Sequence, residues 1–513
     1  MGFAQVLSRA QWGLAAPLVR VEVHLGSGLP MFTIVGLAAP VVRESRERVR
    51  AALAHCGFEL PAGRITVNLA PAEIPKEGGR FDLPIALGIL VASGQAQPAC
   101  DLATTEFYGE LGLTGELRPV PGLLLAAMEA AACDHRLYVP AANAAQLAAA
   151  ATAQVHALAH LREMTTGETV AGLAPGEPAA QQAASQALPE LADVRGQWQA
   201  KRALLIAAAG AHSLLMRGPP GSGKSMLAQR LPALLPPLSR AEALEVAAIA
   251  AVAESSAGGV ATGGPGTRRP FRSPHHTASA HAIVGGGTNV RPGEVSLAHH
   301  GVLFLDELPE FDRRVLEALR EPLESGRVSV VRANQRADFP AAFQLVAAMN
   351  PCPCGRAGLP TQGCRCQPAQ IQRYRARISG PLLDRIDLQL QLPPVDVAAL
   401  LDAAKPAIPA AGDDAALYTT AGAQRAVCQA RARQLRRQGM VNSRLGPEET
   451  LRHCRADTAG MALLRRAAES RGYSARSQHR ILRVARSIAD LADRDAVGGE
   501  HIAEALAMRW EDG

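Results

Sequence analysis

The rhythm of apolar positions changes along the chain and divides it into segments. Over residues 1–170, short apolar runs alternate with glycine and proline turns. Val19–Leu25 and Ile65–Leu69 read as strands there, and Val41–Ala54 and Leu83–Ala92 as helices. Residues 171–189 are rich in Ala, Gln, Pro and Gly without a periodic apolar face, which reads as a linker. Residues 190–396 contain unbroken apolar runs of the kind buried parallel strands need: Ser213-Leu-Leu-Met216, Val302-Leu-Phe-Leu305 and Phe343-Gln-Leu-Val-Ala-Ala-Met349. An Ala/Pro-rich boundary, Ala403–Asp414, opens the last segment, 403–513, whose pattern is helical with arginine-dense faces. No fixed-period repeat is present. The expected class is α/β, with a helical C-terminal domain.

Composition narrows this picture. At 513 residues the chain holds about three domains of roughly 150 residues each. An apolar fraction of 48% against 19% charged residues excludes wholesale disorder. A net charge of +6 permits nucleic-acid binding without requiring it. Only four lysines occur (Lys76, Lys201, Lys224 and Lys405), so a retained lysine marks a position worth explaining. The uncharged stretches Leu83–Cys100 and Leu137–Leu161 are interrupted by proline, glycine, Gln, Asn or His and do not read as membrane spans. With Arg9 and no apolar leader near the start, a cytoplasmic protein without membrane contact is expected.

The strongest chemical signal is Gly218-Pro219-Pro220-Gly221-Ser222-Gly223-Lys224-Ser225, a full G-x-x-x-x-G-K-[ST] loop between an apolar strand and a helix running through Met226–Arg230. Amides of such a loop wrap a triphosphate, the lysine reaches its outer phosphates, and the hydroxyl ligates magnesium. An acidic partner must stand at a neighbouring strand end. Asp306 and Glu307 follow Val302–Leu305 directly, Asp306 to hold Mg2+ and Glu307 to polarise the attacking water. Asn350, after the next apolar strand, is placed to orient that water. Arg385 lies between Asp384 and Asp387. It suits either a contact with a neighbouring subunit's γ-phosphate or a local ion pair. Arg476 opens a helix running to Arg486, where it suits either phosphate contact in cis or a solvated surface. ATP hydrolysis is the predicted activity.

This ordered set resembles the AAA+ ATPases of the magnesium-chelatase-like branch, and more closely the YifB/ComM family, over essentially the whole chain. The stretches specific to that likeness are Phe271-Arg-Ser-Pro-His-His-Thr277, Gly285-Gly-Gly287, Pro292–Glu310 and Ser379-Gly-Pro-Leu-Leu-Asp-Arg-Ile-Asp387. The resemblance implies an AAA+ P-loop α/β core at 190–396, a C-terminal all-helical lid and a homo-hexameric ring. It also implies action on single-stranded or branched DNA, with branch migration in natural transformation as the activity. The N-terminal segment is similar to the Lon-protease-like α+β fold. It departs from that pattern, because no serine lies between Lys76 and Val91 and no lysine between 101 and 200. A Ser–Lys nucleophile cannot be assembled, so a non-proteolytic domain is expected.

Several features bear on partners. Gly285–Arg291 reads as a mobile loop, and Arg327–Arg332 with Gln335–Phe339 as a hairpin. Arg291, Arg332 and Arg336 are the candidate DNA-backbone contacts. Arg431, Arg433, Arg436 and Arg437 read as a solvated helix face. Cys352, Cys354, Cys364 and Cys366 form two C-x-C pairs that suit structural Zn2+ first, with a redox-sensitive thiol patch or plain reduced thiols as alternatives. His275-His276 and His299-His300 are adjacent pairs whose rings are expected to point apart. Other function classes remain open: a chelatase-type ATPase remodelling a protein partner, or an ATP-switched DNA-binding regulator.

Overall fold

The computed structural model describes residues 2–150, 154–165, 172–173, 189–255, 266–286, 291–332, 335–357, 363–394 and 417–509. Most of the expected linker, the Ala403–Asp414 boundary and residues 287–290 of the glycine loop lie outside them. So does the 333–334 tip of the hairpin.

The N-terminal segment builds an eight-stranded mixed sheet. Its spatial order is Gly172–Leu173, Val155–Leu158, Arg136–Pro140, Thr105–Phe107, Gly2–Arg9, Leu18–Gly26, Arg64–Ala70, Met31–Val35. The expected strands and helices appear as Leu18–Gly26, Arg64–Ala70, Pro40–His55 and Asp82–Ala92. Asp82–Ala92 is apolar all round and is buried through Leu90, as such a helix must be. Gly88 makes this possible, since a Cβ there would stand 2.6 Å from Val23 Cγ2 on the sheet. The expected linker start at 171 needs correction: Gly172–Leu173 pairs antiparallel with Val155–His156, so the sheet's edge reaches past it.

The second sheet has five parallel strands in the order Phe271–Arg272, Val302–Leu305, Gln344–Met349, Leu214–Arg217, Leu388–Gln391. This parallel-sheet core is that of a P-loop AAA+ fold. The strand Gln344–Met349 therefore separates the P-loop strand from the acidic strand, and Asn350 emerges between them. The two sheets' domains meet where Leu123–Ala132 packs its apolar face on Arg240–Ser255, and Leu124, Ala127, Ala248 and Val252 share one buried cluster.

Residues 417–509 are helical: Thr420–Gln438, Pro447–His453, Thr458–Arg471, Ala475–Leu491 and Gly499–Ala507. Thr419, Asp457 and Ser474 each cap a helix start through a backbone N–H, and Gly439 and Gly472 end two helices in the left-handed region. These helices share a buried cluster with Trp198–Gly210 of the core. Beside it, Asp387 bonds Arg480 at 2.9 Å and His212 at 3.1 Å, while His212 also meets Ser487 at 2.8 Å. Burial would raise the Asp387 carboxyl, but the charge of Arg480 and the His212 hydrogen bond hold it down at about 2. The expected solvated arginine face is overturned except at Arg436. Arg431 donates to Ala208 O at 2.9 Å, Arg433 to Asp490 O at 2.7 Å, and Arg437 to the Asp490 carboxylate at 2.7 and 3.0 Å. The last carbonyls of Trp198–Gly210 lack donors within their own helix, and Arg431 and Gln434 supply two, to Ala208 O and Ala209 O. No helix among the described residues is long and apolar enough to cross a membrane.

Candidate functional site

The P-loop leaves the strand Leu214–Arg217 and turns through Gly221 (φ +77°) and Gly223 (φ +87°), values that residues with a Cβ rarely adopt. It then enters the helix Lys224–Leu234. The Lys224 ammonium lies 2.7 Å from Gly218 O, 2.9 Å from Pro219 O, and 3.4 Å from both Ser222 Oγ and Asn350 Oδ1. Burial pushes its pKa below the ordinary lysine range, against the opposing pull of Asp306 and Glu307. Ser225 Oγ donates to Asp306 Oδ2 at 2.7 Å, so a hydroxyl at a helix start and a carboxylate at a strand end already meet. The other Asp306 oxygen accepts the Glu307 N–H at 2.9 Å. Lys224, Ser225, Asp306 and Asn350 thus stand together, as their positions in the sequence predict, and Glu307 follows directly at the rim.

Three partners carry no motif of their own. His276 Nδ1 lies 3.3 Å from Glu307 Oε2. Gln197 donates to Ser222 O at 3.3 Å and to Pro393 O at 3.2 Å, bracing the phosphate loop from behind. Glu324, on Arg320–Ser325, receives Arg385 at 2.7 Å and also Arg476. The two arginines singled out in the sequence therefore converge on one carboxylate. The local ion pair open to Arg385 in the sequence was with Asp384 or Asp387; its carboxylate partner is instead Glu324, and Asp387 is taken by Arg480 and His212. Only order in the folded sheet and its flanking helices brings these groups together, so sequence spacing gave no sign of them.

Lys201 has a different use from Lys224. It is fully buried, with its ammonium 4.6 Å from the Trp198 ring centroid and 5.9 Å from that of Tyr418. Burial, then the charge of Arg230, lowers its pKa to about 8.

Arg291 is exposed at the strand Arg291–Pro292, which pairs with Gly285–Gly286. That short ribbon lies against the hairpin Arg327–Arg332/Gln335–Pro340, since a Cβ on Gly285 would stand 3.3 Å from Val330 Cγ2. Arg332 and Arg336 occupy hairpin positions facing Gln335 and Val331, and their side chains lie outside the described residues. The two histidine pairs do not splay as expected. The rings of His299 and His300 lie 3.9 Å apart and both reach Glu245, at 3.0 and 2.8 Å, because His300 takes a left-handed φ of +56°. The rings of His275 and His276 are 4.2 Å apart. The sulfurs of Cys352, Cys354, Cys364 and Cys366 all lie within 4.8 Å of one another.

Comparison with known proteins agrees with this geometry. Residues 190–400 match the family model described as magnesium chelatase, subunit ChlI. Residues 21–143 match that of subunit ChlI of Mg-chelatase, and residues 418–509 that of the subunit ChlI C-terminal region. The competence protein ComM of Haemophilus influenzae is 45% identical over 99% of this chain and 98% of its own length. The uncharacterised protein YifB of Salmonella typhimurium is 44% identical over 100% of this chain and 98% of its own. A weaker likeness, 27% identity over 19% of this chain and 11% of the relative, is to the DNA replication licensing factor mcm-6 of Caenorhabditis briggsae.

Proposed function

Because the chain belongs to the YifB/ComM family of magnesium-chelatase-like AAA+ proteins, we propose that it hydrolyses ATP and couples hydrolysis to the remodelling of DNA. The observation that carries the ATPase reading is the convergence of Lys224, Ser225, Asp306 and Asn350 at the C-terminal ends of three adjacent parallel strands. Lys224 trades the loop carbonyls it now holds for phosphate oxygens. Ser225 and Asp306 form an all-oxygen pair suited to magnesium, which when bound screens charge on the outer phosphates. Asn350 orients the water, and Glu307 takes its proton as it attacks the γ-phosphorus. Arg385 meets the γ-phosphate of a neighbouring subunit in a hexameric ring, leaving Glu324 to do so. Arg476, bound to the same Glu324, moves with it.

The DNA half of the reading rests on the name of the ComM relative, which places that protein in competence, and on two basic elements. The Arg291 ribbon and the Arg327–Pro340 hairpin lie side by side and would face a ring's pore, with Arg332 and Arg336 on the hairpin. Single-stranded or branched recombination intermediates are the proposed substrates, and backbone phosphates the groups contacted. The N-terminal domain is then a non-proteolytic Lon-like platform. Its single lysine, Lys76, is buried and bonded to Pro71 O. The 417–509 helices act as the lid.

The magnesium-chelatase family models favour one other reading, an ATPase that remodels a protein partner. Steady-state hydrolysis alone and with single-stranded, duplex and branched DNA separates the two. DNA is expected to stimulate the rate several-fold. Glu307→Gln is expected to lower it about 100-fold or more while nucleotide binding persists. Hydrolysis indifferent to every DNA would remove the motor reading.

A further inference from the structure

The chain leaving the Asn350 strand makes two C-x-C pairs before it returns to regular structure. Cys352 Sγ lies 3.4 Å from Cys354 Sγ and 3.6 Å from Cys364 Sγ, and Cys354 and Cys364 are 3.6 Å apart. All four thiols are free, and Cys366 completes the group within 4.8 Å. Zinc bound to four thiolates at about 2.3 Å sets its sulfurs about 3.8 Å apart, so the group needs little rearrangement to close on one ion. A multi-iron cluster needs wider sulfur spacing than this. Cys352 is fully buried and accepts the Ala357 N–H at 3.3 Å, the kind of outer contact that steadies a metal thiolate. Binding replaces four S–H bonds by four S–Zn bonds and releases four protons to solvent.

The position of this group matters as much as its chemistry. Gly355, held at φ +76°, presses its backbone on the phosphate loop, and a Cβ there would stand 2.7 and 2.8 Å from Cδ and Cγ of Pro220. Asn350, just before the first cysteine, contacts Lys224. Cys366 leads into the helix Pro368–Arg375, after which Arg377 bonds Pro309 O at 3.1 Å and Glu310 at 2.7 Å. The cysteine segment therefore touches the P-loop at Gly355 and leads, through the helix Pro368–Arg375, to the Arg377 contact with the acidic segment.

We propose that Cys352, Cys354, Cys364 and Cys366 hold one zinc ion, and that the resulting knuckle is the prop against which Pro220 and the rest of the phosphate loop are set. The second half rests on the nucleotide-site reading above; the first does not.

The test uses the full-length protein, purified without chelator or added metal, with elemental analysis and titration of a fluorescent ATP analogue. About one zinc per chain is expected. Cys354→Ser with Cys366→Ser is expected to lose it and to weaken analogue binding about tenfold, the scale of a misplaced binding loop. Gly355→Ala keeps every sulfur, so it is expected to keep the zinc yet weaken binding comparably; Cys133→Ser changes neither. Wild-type protein with no zinc and four thiols open to a thiol reagent overturns the metal site, whether or not the serine variant folds. Zinc present with unchanged analogue affinity in Gly355→Ala overturns the prop. Zinc present in a wild-type protein that binds no nucleotide overturns both the prop and the ATPase reading, and leaves the metal site standing.

Discussion

At Glu307, with Asp306 between it and the buried strand Val302–Leu305, the backbone turns left-handed (φ +52°), and the side chain is half exposed. There His276 Nδ1 stands 3.3 Å from one of the two carboxylate oxygens, Oε2. If Glu307 is the base in the proposed hydrolysis, this contact restrains it. His276→Ala is expected to raise the DNA-free ATPase rate about 2- to 5-fold, the scale of one solvent-exposed polar contact. Nucleotide affinity should not change, and the further gain on adding DNA should shrink. A lower basal rate in that variant would show that His276 orients the glutamate instead. That Lys224, Ser225 and Asp306 would stand together was legible because a P-loop motif and an acidic strand end keep fixed local spacing. His276, Gln197 and Glu324 were not, because each acts across a gap that only the sheet order and helix packing close.

The turn between Glu294–Leu297 and the strand Val302–Leu305 shows how one side chain can hold an element in register. His299 Nδ1 accepts the Ala342 N–H at 3.0 Å, so its proton sits on Nε2, which donates to Glu245 at 3.0 Å. Burial pushes its pKa down to about 4; Glu245 opposes this and the charge of His300 adds to it. The folded value lies below the free value of about 6.5. Its stabilisation is therefore complete above about pH 6.5 and is lost as pH falls through about 4, by up to about 3 kcal/mol. Urea midpoints measured between pH 7 and 4 should fall less in His299→Gln than in the parent chain. Equal declines in the two would mean that other groups carry the acid sensitivity. Among elements, period and length were legible for Leu18–Gly26, Asp82–Ala92, the hairpin and the Ser474-capped helix. The strand Leu388–Gln391 carries only alternating Leu and Gln, and the helix Trp198–Gly210 is a uniform alanine-rich run. Four residues are too few for that alternation to stand out, and the Ala203–Ala209 run of the helix has no contrast between faces. The arginines of Thr420–Gln438 read as solvated because their partners lie on other helices.

For the whole molecule, the docking of Leu123–Ala132 on Arg240–Ser255 was not legible, since both helices are apolar enough to serve any core. The pairing of Arg385 and Arg476 on Glu324 bears directly on assembly. In a single chain these cations are neutralised by a carboxylate, while the P-loop Lys224 keeps its own set of oxygens. In the proposed ring, each subunit's arginine serves its neighbour's nucleotide, so a site is divided between two chains. Lys224→Ala then destroys a subunit's own site but leaves its arginine intact, and Arg385→Ala does the reverse. Each variant alone should be inactive. Mixed one to one at random around a ring, an intact P-loop meets an intact arginine at roughly one interface in four, so up to about a quarter of the wild-type rate should return. An arginine acting on its own chain's nucleotide predicts no recovery at any ratio. Mixed rings verified by cross-linking that stay inactive would therefore exclude Arg385 as a contact between subunits.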